Sequence, residues 1–261
     1  MDVLDISQIL FRWIHIIFGI IWIGFLYFFN FVNIPFQATI DAGNKQKVNP
    51  ELLSRALFWF RWGAAWTWIT GFLLLGVVYY SGGVMFENGF GWSAGSGILV
   101  LLTFGSVFIY DALAKQFGKE PKVFGTIGFV LIAVMVLLFV YVGDFSYRSM
   151  VIHTGAMFGS IMAYNVWFRI WPAQKVTLPL VKAGQPTDAA LMATAGQRSR
   201  HNTYLSVPLF YTMINAHTVS FSGSLFGIDK AFGYTVLFVV ILLGWHIVFQ
   251  FYKKSGKVQS L

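Results

Sequence analysis

The chain contains no cysteine. That excludes disulfides, thiolate metal sites, iron–sulfur clusters and haem attached through thioethers. Any redox cofactor must be held by histidine, methionine or weaker ligands. Charge is scarce as well. Asp, Glu, Lys and Arg make up 11% of 261 residues, and only 10 are acidic. So few charges do not coat an ordinary soluble domain. Few carboxylates also count against an ion-coupled transporter, because proton and sodium coupling draw on intramembrane Asp and Glu. No cleavable leader is expected from the opening residues. Asp2 and Asp5 precede the first apolar run, with no basic start and no small-residue cleavage site, so that run reads as a retained helix.

What the chain has in excess is apolar surface. It is 57% hydrophobic and 19% aromatic, with a mean hydropathy of +0.69. The expected class is all-α: a polytopic membrane helix bundle forming one transmembrane domain over residues 1–261. A spanning helix needs about 20 mostly apolar residues. Seven stretches qualify: Ser7–Phe31, Leu57–Tyr80, Gly97–Ala114, Val123–Gly143, Met150–Ile170, Thr203–Phe221 and Ala231–Phe251. The longest polar segments are Pro35–Ser54 and Trp171–Arg200. The second holds three prolines and a short helix-like piece opened by Thr187 and Asp188. The glycine-rich Ser81–Gly97 follows no strand and reads as a flexible or re-entrant loop.

Basic residues give an orientation. With the N-terminus outside, the inner side carries fifteen of the 18 Lys and Arg residues, leaving Arg12, Arg148 and Lys230 outside. The net charge of +8 is therefore a topology signal that favours anionic membrane lipid and not a nucleic-acid footprint. The expected location is the bacterial inner (cytoplasmic) membrane, crossed several times, with the C-terminus inside.

The five histidines all fall in or at the ends of predicted spans, where ionisable residues are costly and mark function. His15, His153 and His217 share the outer level. His201 and His246 share the inner one. Histidines from several helices at matched depths suit b-type haem, one or two per chain, with His15, His217, His153 and His246 as iron ligands. His201 and His217 are sixteen residues apart, about 24 Å along a helix, so they serve different levels. Arg12 lies three residues before His15 on the same helical face and suits a haem propionate. Gly19, one turn beyond His15, leaves room for a flat ring. The plain alternative is that a membrane histidine bonds a backbone carbonyl or a hydroxyl on a neighbouring helix. Asp111 and Lys115, four residues apart, read as a structural pair. Trp59, Trp62, Trp66 and Trp68 read as an interfacial belt.

Two stretches carry a resemblance: "RWIHIIFGIIWIGFLYFFNFVN" (12–33) and "RSRHNTYLSVPLFYTMINAH" (198–217). Together they resemble the N-terminal membrane domain of the bacterial membrane-bound urate oxidases, the type fused to a cytochrome c. The resemblance extends over nearly the whole chain. It implies a membrane-embedded redox unit that passes electrons to a cytochrome c, with Arg12, His15, Arg198, His201, Asn202, Tyr204 and His217 on the matching stretches. Fused members continue into a further span and a cytochrome c. This chain has no haem-attachment cysteines, so its electrons are expected to leave through a separate cytochrome c or a respiratory complex. The competing readings are a scaffold subunit of such a complex and a small-solute transporter or channel.

Overall fold

The computed structural model describes residues 3–86, 91–216 and 230–258. Among these the fold is helical, apart from an isolated bridge between Phe86 and Phe145. Helix α1 (Val3–Tyr27) passes through a π-helical stretch, Phe28–Asn33, into α2 (Ile34–Thr39). Asp41 then caps α3 (Ala42–Leu74), which ends in a second π stretch, Leu75–Tyr80. Helices α4 (Ala94–Phe117) and α5 (Pro121–Tyr141) form the next pair. Helix α6 (Tyr147–Asn165) runs through a third π stretch, Val166–Ile170, into α7 (Trp171–Lys182). Helices α8 (Ala189–Asn215) and α9 (Lys230–Ser255) complete the bundle.

The starts are chemically marked. A reciprocal Ser93–Ser96 capping box opens α4, Pro121 sits at the first turn of α5, and the Asp188 carboxylate accepts the Ala190 and Leu191 amides at α8. Each satisfies or removes a donor that a helix start leaves orphaned.

Two polar segments expected between spans are in fact helical. Pro35–Ser54 holds α2 and the first turns of α3, and Trp171–Arg200 holds α7 and the opening of α8. The piece opened by Asp188 is not separate, since it continues unbroken to Asn215. Hydropathy detects what suits lipid, whereas these turns extend beyond the apolar stretches. They pack on each other: Lys182 pairs with Glu51 at 3.3 Å, and Gln46 donates to the Lys182 carbonyl.

Five helical segments are long and apolar enough to cross a membrane: Val3–Thr39, Ala42–Tyr80, Ala94–Phe117, Pro121–Tyr141 and Lys230–Ser255. Helices α6 and α8, which carry Met150–Ile170 and most of Thr203–Phe221, are not among them; residues 217–221 lie outside the described residues. Both carry polar residues on their buried faces. Most of α6 is buried, and its buried positions include Ser149, His153, Thr154, Ser160 and Asn165. Helix α8 buries Arg198, Asn202, Thr203, Ser206 and Thr212. A helix surrounded by helices can carry polar groups that find partners within the protein.

Close approaches rest on glycine. A Cβ on Gly63 would come within 3.0 Å of the Trp22 backbone nitrogen, which locks α3 against α1. Similarly, a Cβ on Gly244 of α9 would come within 2.9 Å of the Pro208 ring of α8. Small residues at such crossings are how membrane helices gain packing contacts.

Candidate functional site

The described histidines sit in four different settings. His15, on α1, is half-buried against α3. Its Nδ1 lies 2.9 Å from the Thr67 carbonyl and 3.2 Å from the Thr70 hydroxyl. A carbonyl only accepts, so Nδ1 carries the proton and the Nε2 lone pair is left over. The ring is seated on Gly71, whose added Cβ would stand 2.9 Å from Cε1. Gly19, the glycine one turn along α1, has only Thr67 near it, at an ordinary 3.8 Å.

His153 is fully buried. Its Nδ1 donates to the Ser149 carbonyl at 2.7 Å, and its Nε2 accepts from the Tyr80 hydroxyl at 3.1 Å. Phe145, at 4.8 Å, and Phe139 help enclose the ring. Both nitrogens are committed. His201, on α8, stacks on Phe124 at 4.4 Å with planes 12° apart, and its Nδ1 is 2.8 Å from the Tyr110 hydroxyl. That hydroxyl accepts from Asn165, so its own proton is available to Nδ1. His246, on α9, touches the Gln250 amide at 3.1 Å on an exposed face. His217 lies outside the described residues. Just before it, Asn215 donates to Tyr211, and the Ala216 carbonyl accepts from Arg148. For His15 and His153 the carbonyl bond foreseen for a membrane histidine is therefore present. Among the described residues no group of three or more His, Cys, Asp or Glu could hold a metal ion.

The most heavily bonded polar site was only partly foreseen. Asp111 and Lys115 do pair, at 3.0 Å, but they belong to a larger cluster. The Asp111 carboxylate also takes Arg169 on both oxygens and accepts from Arg198 Nη2 at 2.9 Å. Arg198 is 1% exposed, and its Nε and Nη1 have no partner among the described protein groups. Its guanidinium lies over the Tyr110 ring. From Tyr110 the network runs through Asn165 to Asn202, which donates to the Met162 carbonyl. Arg198 and Arg200 are two residues apart in the same basic run. Only the helical phase of α8, which turns Arg198 inward and leaves Arg200 outward, separates the two arginines.

A pocket of ≈ 380 Å³ opens at the end of the bundle where α1 and α9 finish. It is lined by Asn30, Thr39, Arg200, Tyr252 and Ser255 among others. The Tyr252 hydroxyl donates to Asn30 Oδ1 at 2.8 Å. Burial in the π-helical turn brings Asn30 to this position; such turns are frequent at functional sites.

A bundle of apolar helices around polar interior helices, holding a buried arginine–carboxylate hub and histidines tied to carbonyls, defines a multi-pass membrane protein with an internal polar apparatus. The family described as urate oxidase N-terminal matches residues 38–260, and this chain belongs to it. The match takes in His153, His201, His246 and the Asp111 cluster, while Arg12 and His15 precede it. No curated protein and no solved structure matches the chain.

Proposed function

We propose that this chain is the membrane-embedded redox unit of a urate-oxidising system. It takes electrons from urate or a similar small substrate and passes them to a separate cytochrome c or respiratory-complex subunit. Its membership of the urate oxidase N-terminal family over residues 38–260 carries this reading. We read the single domain as seven passes of the bacterial cytoplasmic membrane, N-terminus outside, with α6 and α8 crossing inside a shell of apolar helices. The distribution of Lys and Arg supports that orientation.

One b-type haem, or two, would supply the one-electron steps that join a two-electron substrate to a one-electron acceptor. His15 is the residue best prepared to hold it. A ligating histidine typically gives its other N–H to a carbonyl or carboxylate, which fixes the tautomer and the ring plane, and His15 does this with Thr67. Arg12, on the same face, suits a propionate. His217, His246 and His153 are the further ligands of this reading. His153 fits only if the Tyr80 hydroxyl is displaced, and His201 only if its proton moves between ring nitrogens. The chain's own residues do the rest: they orient the histidines, exclude water and keep compensated charge within the bundle.

The test is a reduced-minus-oxidised absorption spectrum of the purified protein, followed by addition of urate. We expect a b-type band that urate reduces and that His15→Ala abolishes or shifts. A folded, colourless protein that leaves urate unchanged would sink this reading.

A further inference from the structure

We propose that the pocket formed by the π stretch after α1, α2, Arg200 of α8 and the end of α9 binds the oxidisable anion itself. Arg200 is its counter-ion and the Tyr252 ring its flanking aromatic surface. The proposal rests on the urate reading above and adds a location to it.

The argument begins with which polar groups are already spent. Asn30 Nδ2 donates to the Leu26 carbonyl at 2.9 Å and to the Ser199 hydroxyl at 2.8 Å, while its Oδ1 accepts from Tyr252. Thr39 donates to the Phe36 carbonyl, and Ser255 to the Tyr252 carbonyl. These side chains have found partners within the fold. Arg200 has not found a carboxylate: none pairs with it among the described residues. Its guanidinium lies 5.5 Å from the centre of the Tyr252 ring, which stacks on Tyr204 at 6.0 Å with planes 26° apart. A cation held over an aromatic surface beside a small cavity suits a planar anion: the charge meets the guanidinium and the ring meets the tyrosine face.

Size and field agree. The ≈ 380 Å³ of the pocket falls within the range of about 300–1,000 Å³ usual for small-ligand sites. Lys253, Lys254 and Lys257 follow on the last turn of α9 and the tail beyond it, and no acidic residue lines the pocket. Such a field concentrates anions at the mouth. Urate is a planar, anionic heteroaromatic at neutral pH, and in this chain's family it is the matching chemical class. The competing occupant is the phosphate of an anionic lipid, since the pocket opens at the basic end of the bundle.

Equilibrium dialysis with labelled urate tests the proposal on the full holoprotein, delipidated in detergent. Arg200→Gln, Arg200→Lys, Tyr252→Leu and Lys257→Gln are compared, with circular dichroism and size-exclusion profiles to verify folding. Loss of a charge-assisted contact should weaken binding at least about tenfold in Arg200→Gln. Arg200→Lys should recover most of it, Tyr252→Leu should weaken it several-fold, and Lys257→Gln should stay within about twofold. Urate binding that is unchanged in Arg200→Gln overturns this location and leaves the urate reading standing. No urate binding by the wild-type holoprotein overturns both. Phosphatidylglycerol that co-purifies with the wild type but not with Arg200→Gln, with urate binding unaffected, makes the pocket a headgroup site and overturns the proposal.

Discussion

Arg198 Nη2 donates to Asp111 Oδ1 at 2.9 Å, joining α8 to α4 across 87 residues of sequence, with both side chains more than nine-tenths buried. Arg169 and Lys115 complete the cluster, three cations to one carboxylate. Asp111 is therefore what makes the buried arginine tolerable. Asp111→Asn should destabilise the protein by about 3–5 kcal/mol, because it leaves a desolvated guanidinium uncompensated. Thermal unfolding in detergent should show a clear fall in Tm. A paired Asp111→Leu, Arg198→Met variant should recover much of that loss. If the single variant unfolds at the wild-type temperature, the hub is solvated and this account is wrong.

Gly71 is the seat of His15. Gly71→Ala places a methyl 2.9 Å from Cε1, so the imidazole must shift or tilt away from the Thr67 carbonyl. A small stability cost of about 1–3 kcal/mol is expected from overpacking. A chromophore ligated by His15 should show a shifted absorption band.

Tyr80 supplies the proton that His153 Nε2 accepts. Tyr80→Phe removes it and leaves a buried acceptor unpaired, which should cost about 1–3 kcal/mol. Unfolding of the two proteins under matched conditions reads the difference. Equal stability would mean that water replaces the hydroxyl.

Gly63 faces the Trp22 backbone, which has no side-chain freedom with which to yield. Gly63→Ala should separate α1 from α3 and lower stability by about 1–3 kcal/mol. Gly24, whose Cβ would meet nothing within 4 Å, is the control and should tolerate alanine.

Asp41 lies between α2 and α3, and its carboxylate caps α3. The Asn44 amide holds its carboxyl below the ordinary value of 3.8. A lowered native value means that the capping contribution is complete above that ordinary value and is lost as pH falls through the native one. Amide exchange at Asn44, followed by mass spectrometry, should therefore lose protection below about pH 4. In Asp41→Asn that acid step should be absent.

How much of this was legible beforehand varies with the physical signal. The apolar runs of α1, α3, α4, α5 and α9 announce themselves by hydropathy. The pair of Asp111 and Lys115 follows from helical spacing alone. Arg169 and Arg198 could not be added to it, because their approach depends on which helices neighbour each other. The same limit hid Gly71: a glycine one turn from His15 was visible in sequence, but one contributed by another helix was not. At the basic end only a short helix-like piece was legible, since neither α7 nor the start of α8 is apolar. Asp188 marked a helix start there, though not that the helix would continue for 27 residues.

Helices α6 and α8 bear on how the protein is made. In the seven-pass reading, each would enter the membrane carrying buried polar side chains before the neighbours that satisfy them are all in place. For α8 the buried set is Thr203, Ser206 and Thr212 within the span, with the Arg198 guanidinium and Asn202 just before its start. Neither segment should insert efficiently when expressed alone between reporter domains, and α8 should insert better once α4 with Asp111 is present. The Arg198–Asp111 pair would then tie the polar entrance of α8 to the end of α4, which precedes it in the chain.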